Sequence, residues 1–283
     1  MWTGGLAATA IVAAGVGLGW VPFGEAPRED ANLIATRGDA RPGRWIVAHL
    51  DSKAQGHSMA GRLVAVWITV LAIVGLSVMT AIRLNGPIAP VWLGLAGGTA
   101  LLAGFLARRG RLSGRSLGAR DNGTGVVAAL AAAEAAPSSG LGILITGAEE
   151  FGLVGARVFA RHTPDLREAE FLNVDTVDQE GRLYLVSHDG RGARVARRIE
   201  PALLRLGLPL RHRRLPLGIF VDSAPLSRAG APAITIGRLT WRTLRRIHTA
   251  ADTPDDLSFD AAMRVGRAIA QLAPSIDVSA GAR

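Results

Sequence analysis

An imidazole and a carboxylate two residues apart, His49 and Asp51, close the apolar run Trp45-Ile46-Val47-Ala48. On a strand, side chains at that spacing point the same way. Asp51 can then accept from one imidazole nitrogen and leave the other free for a metal. Alone, such a pair is ordinary polar decoration at a strand end. Gly118-Ala119-Arg120-Asp121-Asn122-Gly123-Thr124-Gly125 sets a carboxylate at a loop-to-helix junction, among glycines that permit close approach. Helix capping by Asp121 or Asn122 is the plainer reading of that segment. Ile143-Leu144-Ile145-Thr146 leads through Gly147-Ala148 into Glu149-Glu150. Two carboxylates at the end of a buried strand stand where open α/β sheets bind ligands. Adjacent residues project differently, so one glutamate can ligate a metal while the other handles a proton of water. Phe171-Leu172-Asn173-Val174-Asp175 closes on a carboxylate in the same manner, and His248 lies in the polar loop 247–253.

Taken together, His49, Asp121, Glu150, Asp175 and His248 supply two imidazoles and three carboxylates with no soft ligand. That set suits two borderline divalent ions such as Zn2+, one carboxylate bridging them. Two divalent charges would be balanced by the carboxylates of Asp121, Glu149, Glu150 and Asp175; without metal these would repel one another and some would hold protons. The chain has no cysteine, which excludes disulfide frameworks, thiol nucleophiles and cysteine metal sites.

In order along the chain, AHLDS, GARDNGTG, ITGAEEFGLVGA, NVDTV and HTAADTPDDL resemble the motifs of the co-catalytic zinc aminopeptidases, relatives of glutamate carboxypeptidase and glutaminyl cyclase. The resemblance covers residues 31–61 and about 112–275. It implies that His49, Asp121 and Asp175 hold one zinc, and that Asp121 bridges to a second completed by Glu150 and His248. It further implies that Glu149 is the general base, that Asp51 orients His49, and that the substrate is a peptide, with an aminopeptidase the leading expectation. The segment FVDSAPLSRAGAPAI is similar to a substrate-proximal stretch of the family but has Val221 before Asp222, and Leu226 where an aromatic would stand. That departure bears on specificity. Two other functions stay open: a glutaminyl cyclase-like transferase using one zinc, and a non-catalytic receptor or scaffold. The complete ligand set argues against the last, whose members usually lose ligands.

The elements that must position these residues alternate. Strand-like runs fall at 32–36, 45–49, 142–146, 170–175, 182–187 and 233–236; helix-like runs fall at 125–136, 153–161, 193–206 and 260–272. The alternation implies a three-layer α/β fold, a mixed and mostly parallel sheet flanked by helices, as in the zinc exopeptidases. The 283 residues exceed what that domain needs, and 49% are hydrophobic against only 19% charged. Mean hydropathy is +0.27.

Three stretches account for the excess. Residues 63–82 and 84–107 are uncharged, long enough to span a bilayer, and lack the polar stripe of a core helix. Asn85-Gly86-Pro87 provides the turn of a membrane hairpin over 63–107. Residues 1–24 carry no charge, no basic n-region and no clean cleavage site, and read as a third spanning helix. A hairpin returns the chain to the side it left, so 25–62 and 108–283 are expected to form one peptidase domain interrupted by the insertion. The lipid bilayer is therefore an expected partner, and a site held near it would favour membrane-proximal or apolar peptides. Arg62, Arg108, Arg109, Arg111 and Arg115 flank the hairpin on the domain side and Arg83 stands alone in its turn, which places the domain in the cytoplasm by charge. Members of the family more often work outside it. The net charge of +9 is almost all arginine, Lys53 being the sole lysine. Aromatics make up 5% and are not interleaved with basic runs, so nucleic acid is not an expected partner.

Overall fold

The computed structural model describes residues 29–37, 41–136 and 140–272. The spanning helix expected at 1–24 lies outside them. Seven strands form one mixed sheet: β1 (Leu33–Thr36), β2 (Arg44–His49), β3 (Leu141–Thr146), β4 (Glu170–Val177), β5 (Arg182–Ser187), β6 (Leu210–Arg213) and β7 (Ala233–Leu239). Their order is β1-β3-β2-β4-β7-β5-β6. β3, β2, β4 and β7 run parallel, β1 and β5 pair antiparallel with β3 and β7, and β6 is parallel to β5. The three-layer expectation holds.

Period-two alternation on β2 divides the core. Trp45 and Val47 face a cluster with Phe159, Phe171 and Leu226, while Ile46 and Ala48 face alanines 128, 129 and 132 and residues such as Ile199 and Val265. The first face is covered by α4 (Val154–His162) and α6 (Ser223–Arg228), the second by α3 (Thr124–Ala135), α5 (Gly190–Leu204) and α8 (Asp260–Ala270). Trp45 packs edge-on to Phe159 at 5.3 Å between ring centroids and is stacked with Phe171 at 6.3 Å. At the N-terminal end of the sheet, register neighbours Arg44 and Glu170 form a buried ion pair of 2.9 Å.

The apolar insertion is a pair of packed helices, α1 (Met59–Asn85) and α2 (Pro90–Arg109). α1 starts earlier than 63 because the Ser58 hydroxyl caps it, accepting from Gly61 N. Among the described residues α1 alone is long and apolar enough to cross a membrane; the apolar part of α2, Pro90–Leu106, is shorter. Only 11% of the most apolar window of α1 is buried, so it is no core helix. Its foot is tied to the domain by Gly56 N donating to Arg111 O and Ser113 N to Ala54 O. Three short elements go beyond the sequence expectation: edge strand β6, whose Leu-Arg-His-Arg lacks a buried face, and the one- to two-turn helices α6 and α7 (Trp241–Arg246).

α3 and α8 approach closely because small residues face each other: a Cβ on Gly266 would lie 2.1 Å from Ala128 O. Gly266→Val is expected to lower the unfolding free energy by about 1–3 kcal/mol through overpacking. Denaturant titration of the purified variant in detergent measures it, and wild-type stability would refute the packing argument.

Candidate metal centre

Every expected ligand arrives at the C-terminal edge of the sheet. His49 ends β2, Asp175 lies near the end of β4, and Glu149 and Glu150 follow β3 in the turn leading to α4. Asp121 sits in a π-helical turn (Ala119–Gly123) that enters α3, and the Asp121–Asn122 peptide is cis. His248 lies in the loop after α7, with left-handed backbone at φ 66°.

The centre of the arrangement is Asp121. Its Oδ1 is 3.2 Å from His49 Nε2 and its Oδ2 is 3.2 Å from His248 Nε2. Asp175 Oδ1 stands 3.9 Å from the same His49 nitrogen, and Glu150 Oε1 stands 3.0 Å from His248 Nε2. The side chains thus form two groups that share Asp121: His49, Asp121 and Asp175, and Asp121, Glu150 and His248. Within each group the donor atoms lie within 4.8 Å of one another, the geometry of atoms around a common ion. Glu150 Oε1 and His248 Nε2 are buried and make no aligned hydrogen bond despite their proximity. Lone pairs converging without a proton between them fit a cation at that point. Lys53 Nζ holds the other Glu150 oxygen at 2.6 Å, leaving Oε1 as the free donor.

Backbone N–H groups hold this constellation. Asp252, fully buried, accepts from Arg120 N at 2.8 Å and Asp121 N at 3.2 Å. Asn122 Oδ1 accepts from Gly125 N and Thr176 N, and its Nδ2 donates to Val174 O, which ties the π-helical turn to the end of β4. Gly125 is required there: a Cβ would lie 2.2 Å from Asn122 Oδ1 and 2.3 Å from Val174 O. Asp51 departs from expectation. Its carboxylate accepts from Glu149 N at 2.9 Å and Glu150 N at 3.0 Å, while its backbone carbonyl, 3.0 Å away, faces His49 Nδ1. The carboxylate itself is 3.7 Å from that nitrogen. β2 ends at His49 and the chain turns, so the two-residue alternation that would align both side chains no longer applies.

Burial dominates the electrostatics. It pushes Asp175 up to about 7 against the opposing pull of His49, with Asp121 adding like-charge repulsion. Burial, with the carboxylates of Glu150, Asp222 and Asp175, pushes Glu149 well above the usual range. Burial would also raise Asp121 and Glu150, yet imidazole contacts hold both below it, His248 and His49 on the first and His248, helped by Lys53, on the second. His49 and His248 are raised by these carboxylates in spite of burial.

The site lies in a cavity of about 360 Å3 whose floor includes Asp121, Glu149, Glu150, Asp175 and His248. Its walls are apolar, with Met59, Tyr184, Val186, Ile219, Phe220 and Leu239 among them. Val221 lines it, whereas Leu226 is turned into the core beside Trp45 and Phe171. Sequence reasoning passed over Asp222, which is fully buried, accepts from the Thr146 hydroxyl, and bears electrostatically on Glu149. It also passed over Asp252 as a backbone clamp and Lys53 as the partner of Glu150. Asp222 and Asp252 stood inside quoted motifs, but only their through-space partners reveal the work they do.

Known proteins extend the geometry. A profile of peptidase family M28 matches residues 32–273. Among curated proteins none matches this chain. Among solved structures, the fold is similar to a leucine aminopeptidase precursor from Bacteroides thetaiotaomicron, with TM-score 0.55, 15% identity, and coverage of 86% of this chain and 76% of that one. It is similar to a glutaminyl cyclase from the same organism, bound there to N-acetylhistamine, with TM-score 0.57, 14% identity, and coverage of 86% and 77%. An aminopeptidase from Aneurinibacillus gives TM-score 0.53 at 18% identity over 85% of this chain and 47% of that one. This chain therefore spans about half the length of that protein. Because the profile match runs from β1 to the end of α8 and takes in every segment of the site, the chain belongs to peptidase family M28.

Proposed function

We propose that the chain is a membrane-anchored, zinc-dependent aminopeptidase with two metal positions and Glu149 as its general base. The observation that carries this reading is the Asp121 carboxylate shared between two imidazoles, with Glu149 lining the same cavity. His49, Asp121 and Asp175 would hold one ion; Asp121, Glu150 and His248 the other. Two imidazoles and hard carboxylates without sulfur suit Zn2+. When bound, zinc supplies Lewis-acid polarisation of a carbonyl and a lowered pKa for water.

The chain's own groups do the rest. Glu149, raised above the ordinary carboxylate range by burial, is placed to take a proton from water and return it to the leaving amine. Asp51 positions it through the backbone N–H groups of Glu149 and Glu150, and positions His49 through its carbonyl. The apolar walls fit an apolar side chain at the peptide's N-terminus, and the aminopeptidase named among similar structures supports that polarity of cleavage. A glutaminyl cyclase-like transfer is the second reading, favoured by the TM-score of 0.57 to that enzyme. Two shared-ligand groups favour hydrolysis over it.

α1, mostly exposed along its apolar length, supports the anchoring, and α2, packed beside it with a shorter apolar run, would be the returning leg of a hairpin over 63–107. The domain is then residues 25–62 together with 108–283, on the side where the flanking arginines accumulate, the cytoplasm by the positive-inside rule. A reporter that fluoresces only after export, fused at Arg283, is expected to stay dark; fluorescence would reverse the assignment.

Elemental analysis and turnover of an aminoacyl-nitroanilide on the same samples test the chemistry. Glu149→Gln is expected to keep about two zincs per chain and lose between about a hundredfold and ten-thousandfold in turnover. Wild type that takes up no zinc on reconstitution would remove the reading, and one zinc with pyroglutamate formation would turn it into the transferase.

The pH dependence has a definite sign. Acids raised in the folded state, Asp175 to about 7 and Glu149 likewise upward, bind more protons folded than unfolded between their ordinary values and the raised ones. Stability therefore falls as pH rises through that window. Metal-free protein is expected to melt at lower temperature at pH 8 than at pH 5.5, while its zinc affinity, measured by indicator competition, rises over the same interval as the ligands lose protons. Melting independent of pH would show that the carboxylates are not crowded as described.

A further inference from the structure

β6 runs into a segment that the proposed chemistry leaves partly unused. Arg211, His212, Arg213 and Arg214 are all exposed, and they lead into Leu215-Pro216-Leu217-Gly218-Ile219-Phe220. His212 pairs with Glu200; among the described residues the three arginines have no carboxylate partner. Leu217 is 54% exposed and Phe220 41%. No acidic residue lies anywhere in 211–220.

This segment leans on the foot of α1. A Cβ on Gly218 would lie 3.1 Å from Val66 Cγ2, and the Arg62 guanidinium sits over the Phe220 ring at 5.6 Å. α7 packs on the same helix and presents Trp241, 53% exposed, with Arg242 and Arg245 exposed beside it. Apolar tips and arginines therefore alternate around the end of the apolar span. Arg62 is the last charge before that span, and Val66 lies one turn further in, about 6 Å along the axis. Gly218 and its neighbours thus reach below the level of Arg62, the depth at which interfacial apolar groups settle while arginines meet phosphates.

We propose that residues 211–220 and Trp241 form a second, non-spanning contact with an anionic headgroup layer. This seats the mouth of the cavity, lined by Arg62, Arg213, Arg214, Ile219 and Phe220, in the membrane interface. The inference rests on α1 spanning the bilayer. It makes the substrate class peptides already partitioned on the membrane, which reach the cavity laterally rather than from bulk water. The single sign of charge selects anionic lipid over a second copy of this arginine-rich chain.

The absence of native cysteine makes the test direct. Leu217→Cys, Leu71→Cys in the middle of α1 and Leu204→Cys on α5 are each labelled with an environment-sensitive fluorophore. The proteins are reconstituted into phosphatidylcholine–phosphatidylglycerol vesicles carrying spin labels either near the headgroup or at the acyl-chain midpoint. The label at 71 is expected to be quenched by the deep probe, that at 217 by the shallow probe, and that at 204 only by aqueous iodide. Omitting phosphatidylglycerol should weaken the shallow quenching at 217. If 71 is quenched and 217 behaves as 204, the interfacial contact is overturned and the span stands. If 71 is quenched by neither lipid probe, the spanning reading itself fails. A label at 217 shielded from lipid and iodide alike would mean a protein partner covers it, and equal quenching without the anionic lipid would remove the role of the arginines. Leu217→Asp, outside the cavity lining, should keep nitroanilide turnover and lower cleavage of a vesicle-tethered peptide about tenfold or more, as loss of one buried leucine allows. Equal loss on both substrates would assign Leu217 a merely structural role.

Discussion

One carboxylate facing two imidazoles governs this molecule. Each Asp121 oxygen is engaged by a different histidine, so the plane of the group is fixed from both sides. Satisfying it requires β2, the π-helical turn and the loop ahead of α8 to meet within a few ångströms, and His248 in turn draws in Glu150 from the turn after β3. The fold meets that demand mostly with backbone donors, Lys53 on Glu150 being a cationic exception. Asp252 grips the N–H groups of Arg120 and Asp121, Asp51 those of Glu149 and Glu150, and Asn122 that of Thr176. Charge is thus crowded among rigid amides, with the Lys53 ammonium on Glu150, and a divalent ion remains the natural counter-charge.

The sheet separates this demand from stability. At its N-terminal end the Arg44–Glu170 pair is buried and complete, and Arg44 Nη1 also donates to Ile269 O at 3.1 Å. Between the two ends lie β-branched and aliphatic side chains with almost no exposure. That dry interval lowers the local dielectric and strengthens whatever charge interactions the C-terminal edge supports. Polar chemistry is confined to strand ends, where backbone groups leave the ladder and can be spent on ligands.

Much of this was legible along the chain because its signals are local. Apolar runs leading to an imidazole or carboxylate mark β2, β3 and β4, and His49, Glu149, Glu150 and Asp175 at or just beyond those runs are at the site. The ligand set could be assembled from residue type and order. What escaped was non-local or weakly patterned. β6 has no buried face, so no alternation betrays it. Asp252 and Asp222 look like loop decoration until the turn they clamp, or the Thr146 hydroxyl they accept from, is brought beside them. Strand periodicity does not extend to Asp51, two residues past the end of β2, where the carbonyl faces His49 and the carboxylate accepts from Glu149 N and Glu150 N. Leu226 replaces an aromatic not at the cavity but in the core, where shape against Trp45 and Phe171 decides the residue.

The foot of the helical hairpin touches the site through the main chain. Gln55 N donates to His248 O at 3.0 Å, and Met59 N, the first residue of α1, donates to Ile247 O at 3.3 Å. A spanning helix changes its tilt to match the hydrocarbon thickness around it. Were α1 to span a bilayer as proposed, such a tilt would bear first on its capped start, beside the backbone of a residue whose imidazole faces Asp121. Two main-chain hydrogen bonds therefore join the start of the apolar helix to the loop that carries a metal-site imidazole.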